Sequence, residues 1–188
     1  MTTDLDGAFA AVAERVRAST VCVHDARGRG SGSGIVWREN LIVTNAHVAR
    51  GERAIVETRD GRRRRAIVLK RDPSRDLAVL EIEGDNLGLA PVTIRDADDL
   101  RPGELVLAVG NPLGLVGAVS AGLVQRCNGR WVVADVRLAP GNSGGPLADA
   151  AGRVVGVNSL IARGLALAIP SGAVADFLGT LGRHVTRA

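Results

Sequence analysis

The order of apolar and polar positions predicts a short helix at the start of the chain and a second helix near its end. Over residues 1–19 apolar side chains recur at helical spacing, which is the pattern of an amphipathic helix. Its apolar face is formed by Ala8, Ala11, Val12 and Val16. A closing helix is predicted from 171 to 181, with Ser171 as its cap, because serine is a preferred residue at helix N-termini.

Between the two helices, short apolar runs alternate with polar and glycine-rich segments, which is typical of β-strands joined by tight turns. Strands are predicted at 20–24, 32–37, 41–44, 53–58, 64–70 and 78–81, and then at 105–109, 117–125, 131–134, 146–148, 154–159 and 166–169. The polar stretch DADDLRPGE, residues 96–104, separates these two groups of six and is the best candidate for a linker.

Two groups of six strands on either side of one linker predict an all-β fold of two six-stranded antiparallel barrels. The expected segments are an N-terminal helix at 1–19, a first barrel at 20–99, a second barrel at 100–170, and a C-terminal helix and tail at 171–188. With 188 residues, the chain can form one compact unit or two small units that share a core.

Composition restricts how that core is packed. Hydrophobic residues make up 46% of the chain but aromatic residues only 2%, so Val, Leu, Ile and Ala must fill the interior. Only two cysteines occur, Cys22 and Cys127. Two cysteines do not indicate a disulfide framework, and they are compatible with a reducing compartment.

The basic character of the chain raises the question of nucleic-acid binding. The net charge is +4, but the 24 basic residues are scattered among 20 acidic ones. The one dense run, RRRR at 62–65, follows the hairpin signal Asp60-Gly61 and is typical of a solvated hairpin arm. With so few aromatic residues the chain offers no base-stacking platform, and we expect no nucleic-acid partner.

The sequence predicts neither a secretory signal nor a membrane span. Acidic residues at positions 4 and 6 interrupt the N-terminal segment, unlike the start of a signal peptide. The longest uncharged run, residues 105–125, is broken by Gly110-Asn111-Pro112 and is interpreted as two strands joined by a loop. The chain as it stands is expected to be cytoplasmic, and an extracytoplasmic location is the alternative if it is trimmed from a longer sequence.

The stretch PGNSGGPL, residues 140–147, surrounds one serine with three glycines. This composition is ordinary for a surface turn. It also suits acyl transfer, because glycine lets the backbone present N–H groups beside Ser143, where they can stabilise the charge of an attacked carbonyl. Serine needs a base at neutral pH, and the base needs an orienting carboxylate.

Three histidines compete for the role of that base. His24, at a strand end, and His184, near the C-terminus, are interpreted as solvated surface residues, whereas His47 follows an apolar run in LIVTNAHVAR. For the carboxylate, Asp76 stands at the entrance of a strand in SRDLAVLEI. Each position alone is more typical of a structural residue, but His47, Asp76 and Ser143 together make a complete set for nucleophilic catalysis.

TNAHV, RDLAVL and GNSGGPL, in the order His, Asp, Ser, resemble the trypsin-like serine peptidases, and specifically their HtrA/Deg branch. GSGSGIVW, VLAVGNPLGL, RVVGVNSLI and LALAIPSGAV resemble further family segments in the family's order, so that the resemblance covers roughly residues 30–178. It implies the same double barrel, with the active site in the cleft between His47 and Asp76 on the first barrel and Ser143 on the second. It concerns the protease domain only, with no PDZ domain.

The resemblance implies a serine endopeptidase that cleaves polypeptides through an acyl-enzyme intermediate. Ser143 attacks, His47 transfers the proton and Asp76 orients the histidine, while the backbone N–H groups of Gly141 and Ser143 form an oxyanion hole. We expect no cofactor and no metal ion, and the oligomeric state is left open. The alternative function is a catalytically silent module on the same fold that binds peptides in the manner of a chaperone.

The resemblance also implies residues that bind the substrate. Ser159 is expected to hydrogen-bond near Asp76. The backbone from Asn158 through Ser159 and Leu160 to Ile161 is expected to pair with an extended substrate as an added strand. Asn142 is expected to be a spacer between the oxyanion donors or a contact in the cleft.

The pocket for the residue before the cleaved bond is expected near Arg137 and on the last predicted strand, and two options are open. If Arg137 points to solvent, an apolar pocket formed by Leu138, Leu167 and Ile169 suits Val, Ala, Leu or Ile. If Arg137 points inward, it needs an acidic partner, because a buried unpaired guanidinium is costly, and the pocket then favours Asp or Glu in the substrate.

Overall fold

The computed structural model describes residues 5–28, 30–84 and 87–180 of the chain. It contains two α-helices, α1 (Leu5–Ala18) and α2 (Ser171–Gly179). The strands are β1 (Thr20–Asp25), β2 (Ser31–Arg38), β3 (Leu41–Thr44), β4 (Arg53–Glu57), β5 (Arg63–Asp72), β6 (Leu77–Ile82), β7 (Leu105–Gly110), β8 (Ala118–Cys127), β9 (Val132–Ala134), β10 (Pro146–Asp149), β11 (Val154–Ala162) and β12 (Leu165–Pro170). The predicted helix end at 181, and His184, lie outside the described residues.

Each group of six strands closes on itself through antiparallel pairing. The first barrel is hydrogen-bonded in the order β1-β2-β3-β6-β5-β4 and the second in the order β10-β11-β12-β9-β8-β7. The predicted all-β fold of two six-stranded antiparallel barrels is therefore confirmed. Every predicted strand is present, and its ends differ from the prediction by no more than a few residues.

Aliphatic side chains fill both barrels, as the composition requires. The interior of the first barrel includes Val23 and Leu80, and that of the second includes Leu147 and Val155, all of them fully buried. A third apolar cluster contains residues of both barrels together with Phe177 of α2. The barrels therefore pack against each other and against α2, which fixes the cleft between them.

Helix α1 packs against the second barrel through a face that differs from the predicted one. Val12 and Val16 lie against β7 as expected, but the third contact is Phe9, while Ala8 and Ala11 are exposed. Phe9, Val12 and Val16 are three and four residues apart, so they also share one helix face. Neither α1 nor any other described helix is long and apolar enough to cross a membrane.

The predicted cap of the closing helix is wrong. Pro170 occupies the N-cap position of α2, and it provides no side-chain hydrogen bond to the helix. The hydroxyl of Ser171 instead donates to the carbonyl of Arg95 and accepts a hydrogen bond from the backbone N–H of Ala97. The hydroxyl of Ser171 thus bonds to the segment that connects the barrels and not to the first turn of α2.

Candidate active site

The turn that carries Ser143 lies between β9 and β10 and packs closely against the first barrel. The carbonyl of Ser143 accepts a 2.8 Å hydrogen bond from the backbone N–H of Ser33 on β2. Gly144 follows with a φ of +85°, and a methyl group there would overlap the carbonyl oxygen of Ser33 and the hydroxyl of Thr44. Only glycine allows this approach, which explains the glycine that directly follows the serine.

His47 and Asp76 meet because β3 and β6 are neighbours in the first barrel. β3 ends at Thr44, which pairs with Ala78 at the start of β6, so the residues just beyond these ends lie at one edge of the sheet. The Nδ1 atom of His47 is 2.9 Å from each carboxylate oxygen of Asp76. The backbone N–H of His47 also donates to that carboxylate, at 3.1 Å. The pair has the geometry of an oriented imidazole.

Ser159 on β11 connects this pair to the second barrel. Its hydroxyl donates a 2.6 Å hydrogen bond to Oδ2 of Asp76, as the resemblance implies. Burial by itself would raise the pKa of Asp76, but the hydrogen bonds from His47 and Ser159 outweigh burial and lower that pKa below its ordinary value. Asp76 is therefore held in its ionised form, in which it only accepts hydrogen bonds.

The hydroxyl of Ser143 points to Ser159 rather than to the histidine. It donates to the carbonyl oxygen of Ser159 at 3.2 Å, and no hydrogen bond between described residues joins it to His47. Ser159 thus contacts Asp76 through its hydroxyl and Ser143 through its carbonyl. A hydroxyl turns about a single bond, so the long bond to Ser159 is easily exchanged for another acceptor.

The backbone of the turn leaves two N–H groups without a hydrogen bond. Within the described residues, the N–H groups of Gly141 and Ser143 donate no hydrogen bond, whereas the N–H of Asn142 between them donates to the carbonyl of Ala139. Gly141 has a φ of +106°. Two backbone donors on alternate residues around a serine are the arrangement that an oxyanion requires.

The directions of these two N–H groups are fixed by the carbonyl groups of their own peptide units. The carbonyl of Pro140, in the same peptide as the N–H of Gly141, accepts a 3.1 Å hydrogen bond from Leu113. The carbonyl of Asn142, in the same peptide as the N–H of Ser143, accepts a 3.0 Å hydrogen bond from Gly145. In a trans peptide C=O and N–H point in opposite directions, so both N–H groups point away from these contacts.

Three further residues hold the His47 segment, and the sequence analysis did not identify them. The buried amide of Asn45 donates to the carbonyl of Asp76 at 2.9 Å, and Asp76 has a φ of +54°. Arg71 donates to the carbonyl of Ala46, and Arg50 donates to the carbonyl of His47, each at 2.8 Å. The one signal in the sequence was a polar residue, Asn45, at the end of a buried strand.

A cavity of about 300 Å³ opens beside Ser143 and has no charged residue in its lining. It is lined by Leu138, Ala139, Pro140, Asn142, Ser143, Ser159, Leu160 and Ile161. Leu138, Asn142, Ser159 and Leu160 were among the predicted substrate-binding residues. Ala139, Pro140 and Ile161 complete the wall.

Four residues expected at the pocket or the substrate strand do not line this cavity. Arg137 is exposed, and its carbonyl accepts a hydrogen bond from the hydroxyl of Ser120. The backbone of Asn158, which was expected to pair with the substrate, is already bonded, because its N–H donates to Gly145 and its carbonyl accepts from Gly144. Its buried side-chain amide donates to the carbonyl of Pro146. Leu167 and Ile169 lie on β12 and pair with residues of β11.

Comparison with known proteins identifies the family of the chain. The family described as "Trypsin-like peptidase domain" matches residues 32–157. The chain is 40% identical over 169 residues to the human serine protease HTRA4, a match that covers 82% of the chain and 35% of that protein. It is 36% identical over 184 residues to the serine protease PepD of Mycobacterium tuberculosis, with 83% of the chain and 39% of that protein covered.

A third relative, in Halomonas elongata, is named "Probable periplasmic serine endoprotease DegP-like" and is 37% identical over 163 residues, covering 78% of the chain and 34% of that protein. The chain therefore spans about a third to two fifths of the length of these curated relatives.

Two solved structures have the same fold. The HtrA-type protease AlgW with a tripeptide superposes with a TM-score of 0.85 at 30% sequence identity, covering 94% of the chain and 64% of AlgW. The serine endoprotease of Yersinia pestis superposes with a TM-score of 0.84 at 30% identity, covering 94% of the chain and 67% of that protein.

Proposed function

The chain belongs to the trypsin-like peptidase family, as a relative of the HtrA serine proteases, and from this premise we propose that it is a serine endopeptidase acting through His47, Asp76 and Ser143. The observation that carries the proposal is the 2.9 Å contact of both Asp76 carboxylate oxygens with Nδ1 of His47. Asp76 thereby fixes the ring so that Nε2 is left to act as the base.

The first half of the reaction forms an acyl-enzyme. Ser143 Oγ adds to the carbonyl carbon of the peptide bond, and its proton passes to Nε2 of His47. The carbonyl oxygen becomes an oxyanion, which the N–H groups of Gly141 and Ser143 stabilise. When the tetrahedral intermediate collapses, the C–N bond breaks and His47 gives its proton to the leaving amine.

The second half releases the acid product by the same groups. A water molecule gives a proton to His47 and adds to the ester carbonyl, and the oxyanion forms again in the same place. The C–O bond to Ser143 then breaks, and the serine oxygen recovers its proton from His47. Asp76 stays ionised throughout, since its pKa is lowered.

An extended peptide has a free strand edge to bind. β11 pairs with β12 from Gly156 to Ala162, with an irregularity between Asn158 and Leu160, but its pairing with β10 ends at Val157. From Ser159 onward, the edge of β11 opposite β12 therefore has backbone groups with which an added strand can pair. Leu160 and Ile161 are exposed in this segment. A substrate strand on this edge places the residue before the cleaved bond in the cavity beside Ser143.

The apolar cavity predicts a preference for Val, Ala, Leu or Ile before the cleaved bond. Burying a charged side chain without a partner costs several kcal/mol, so these residues should be favoured over charged ones by a factor of about 100 or more. A peptide library whose products are mapped by mass spectrometry measures the preference. Arg137→Ala should leave it unchanged, because the Arg137 side chain is exposed. Cleavage mainly after Arg or Lys, or an acidic preference that disappears in Arg137→Ala, contradicts the assignment.

Activity should rise from mildly acidic to weakly alkaline pH. His47 must be neutral to accept the serine proton, and histidines ordinarily lose their charge between about pH 5 and pH 8. Asp76, with its lowered pKa, is already ionised throughout that range, so its own titration does not contribute to the rise. The measurement is kcat/KM from about pH 5 to pH 9, with the fold monitored by circular dichroism. A flat profile for the folded protein contradicts base catalysis by His47.

Reaction with a fluorophosphonate probe tests the proposed function directly. The wild-type protein should become labelled at Ser143, and Ser143→Ala should not be labelled. Absence of labelling in both folded proteins favours the catalytically silent peptide-binding module.

The cellular location is a separate matter. The cytoplasmic location expected from the N-terminal residues stays a prediction, and the relative that is named periplasmic supports the extracytoplasmic alternative.

A further inference from the structure

Ser33 lies on β2 of the first barrel and contacts the turn that carries Ser143 on the second barrel. It is fully buried. Its backbone N–H donates to the carbonyl of Ser143 at 2.8 Å, and its hydroxyl donates to the carbonyl of Gly141 at 2.7 Å. One residue of the first barrel therefore binds two carbonyl groups of a turn that is 108 residues away in the sequence.

The direction of the Ser33 hydroxyl is determined by its surroundings. A hydroxyl donates one hydrogen bond and accepts two. Oγ of Ser33 accepts from the backbone N–H of Asn111 at 2.9 Å and from the Asn111 side-chain amide at 3.1 Å. Both accepting positions are filled, so the single O–H is directed to Gly141. The other donor to that carbonyl, the N–H of Asn111, is 3.4 Å away, which makes Ser33 the shorter and better contact.

The carbonyl of Gly141 lies between the two N–H groups of the oxyanion hole along the chain. It belongs to the peptide unit that joins Gly141 to Asn142, and the units on either side carry the N–H groups of Gly141 and Ser143. Gly141 has no side chain to restrict its backbone, so rotation of this central unit is the easy motion of the turn. The hydrogen bonds to the carbonyls of Pro140 and Asn142 restrain the two outer units. Rotation of the central unit changes ψ of Gly141 and φ of Asn142, which are the torsion angles that orient the two N–H groups relative to each other.

We propose that Ser33 is a positioning residue of the oxyanion hole. Its buried hydroxyl fixes the carbonyl of Gly141 and thereby maintains the conformation of the turn that carries the two N–H donors. The inference rests on the proposed peptidase function. Ser33 does not contact the substrate, and it acts only through the turn. Its removal should therefore weaken binding of the transition state while leaving binding of the substrate unchanged.

Ser19 provides a matched control. It is also buried, and its hydroxyl also donates to a backbone carbonyl, that of Ala90, at 2.7 Å. Neither Ser19 nor Ala90 lines the cavity or contacts the catalytic residues. Ser33→Ala deletes one donated and two accepted hydrogen bonds, whereas Ser19→Ala deletes one donated hydrogen bond. Ser33→Ala should therefore lower the melting temperature more, and both variants are compared at a temperature at which each is folded.

The test compares the two variants in peptide hydrolysis and in binding of a peptide trifluoromethyl ketone. Ser143 adds to this ketone, its proton passes to His47, and the resulting oxyanion occupies the hole. We expect Ser33→Ala to lower kcat about 10-fold to 100-fold, somewhat less than direct loss of an oxyanion donor, with KM changed less than twofold. Affinity for the ketone should fall by the same factor as kcat/KM, and Ser19→Ala should change neither quantity.

Three outcomes are distinguishable. Wild-type protein that neither hydrolyses peptides nor reacts with the ketone contradicts the proposed function itself. Active wild-type protein with a Ser33→Ala variant that behaves like Ser19→Ala contradicts the role of Ser33 alone. If Ser33→Ala does not fold, Ser33→Cys carries the same comparison, because the thiol has a similar size but is a weak donor; unchanged kcat and ketone affinity in that variant also overturn the proposal.

Discussion

Ser143→Ala is expected to lower peptide hydrolysis by roughly 10⁴-fold or more while leaving the fold nearly unchanged. The substitution removes the nucleophile, but it costs the folded state little, because the hydroxyl makes only a long 3.2 Å hydrogen bond to Ser159. His47→Ala should have a comparable effect, since the serine then has no base and the imidazole is 44% exposed. The measurement is kcat/KM on a peptide substrate, with the melting temperature recorded for each variant.

The double variant distinguishes a catalytic unit from two independent contributions. When two residues act together in one proton transfer, removing either one already abolishes almost all of their contribution to the rate. Ser143→Ala combined with His47→Ala should therefore be hardly slower than either single variant. Ser74→Ala is the control, because its hydroxyl bonds to Asp72 on an exposed turn. Wild-type kcat in Ser143→Ala or in His47→Ala would remove that residue from the mechanism.

The sequence was sufficient to predict where the strands lie along the chain, but not which strands pair with each other. Alternating apolar runs and turn residues located the ends of β3 and β6, and hence the places of His47 and Asp76. That these ends adjoin depends on the pairing of Thr44 with Ala78, and local periodicity carries no information on pairing between strands. The expectation that His47 and Asp76 lie together came instead from the resemblance to a known family.

The errors occurred where several local solutions were equally good. In an alanine-rich helix, Ala8 and Ala11 fit an apolar face as well as Phe9 does, and the contact with β7 decides between them. Serine at the start of a helix is ordinarily a cap, but the hydroxyl of Ser171 bonds to the connecting segment. Tertiary contacts override local preferences at both places.

Apart from Asn45, the supporting residues of the candidate site have no local signal in the sequence. Ser33 is one of two serines in GSGSG, and the sequence does not distinguish a buried donor from an ordinary turn residue. Its contacts with Gly141 and Asn111 arise only when the barrels pack together. The direction of the Arg137 side chain could not be derived either, because a side chain in a loop follows no period. The sequence left both orientations open, and the structure shows Arg137 exposed.

Gly144→Ala is expected to destabilise the protein by about 3 kcal/mol or more, from overpacking together with a broken buried hydrogen bond. The added methyl group would overlap the carbonyl of Ser33 and the hydroxyl of Thr44. These two groups are buried and form a 2.6 Å hydrogen bond that joins β2 to β3. The methyl group therefore either separates the strands or displaces the turn of Ser143, and both changes should abolish hydrolysis.

Gly61→Ala separates this collision from simple backbone strain. Gly61 has a φ of +83°, close to the +85° of Gly144, so alanine carries a similar conformational cost of about 1 kcal/mol at either position. Nothing lies within 4 Å of a methyl group at Gly61, and that variant should keep full activity. Urea denaturation of both variants gives the difference in free energy of unfolding. Equal stabilities would mean that the turn moves away from the first barrel at no cost, and active Gly144→Ala would show that catalysis does not need the close contact of Ser143 with Ser33.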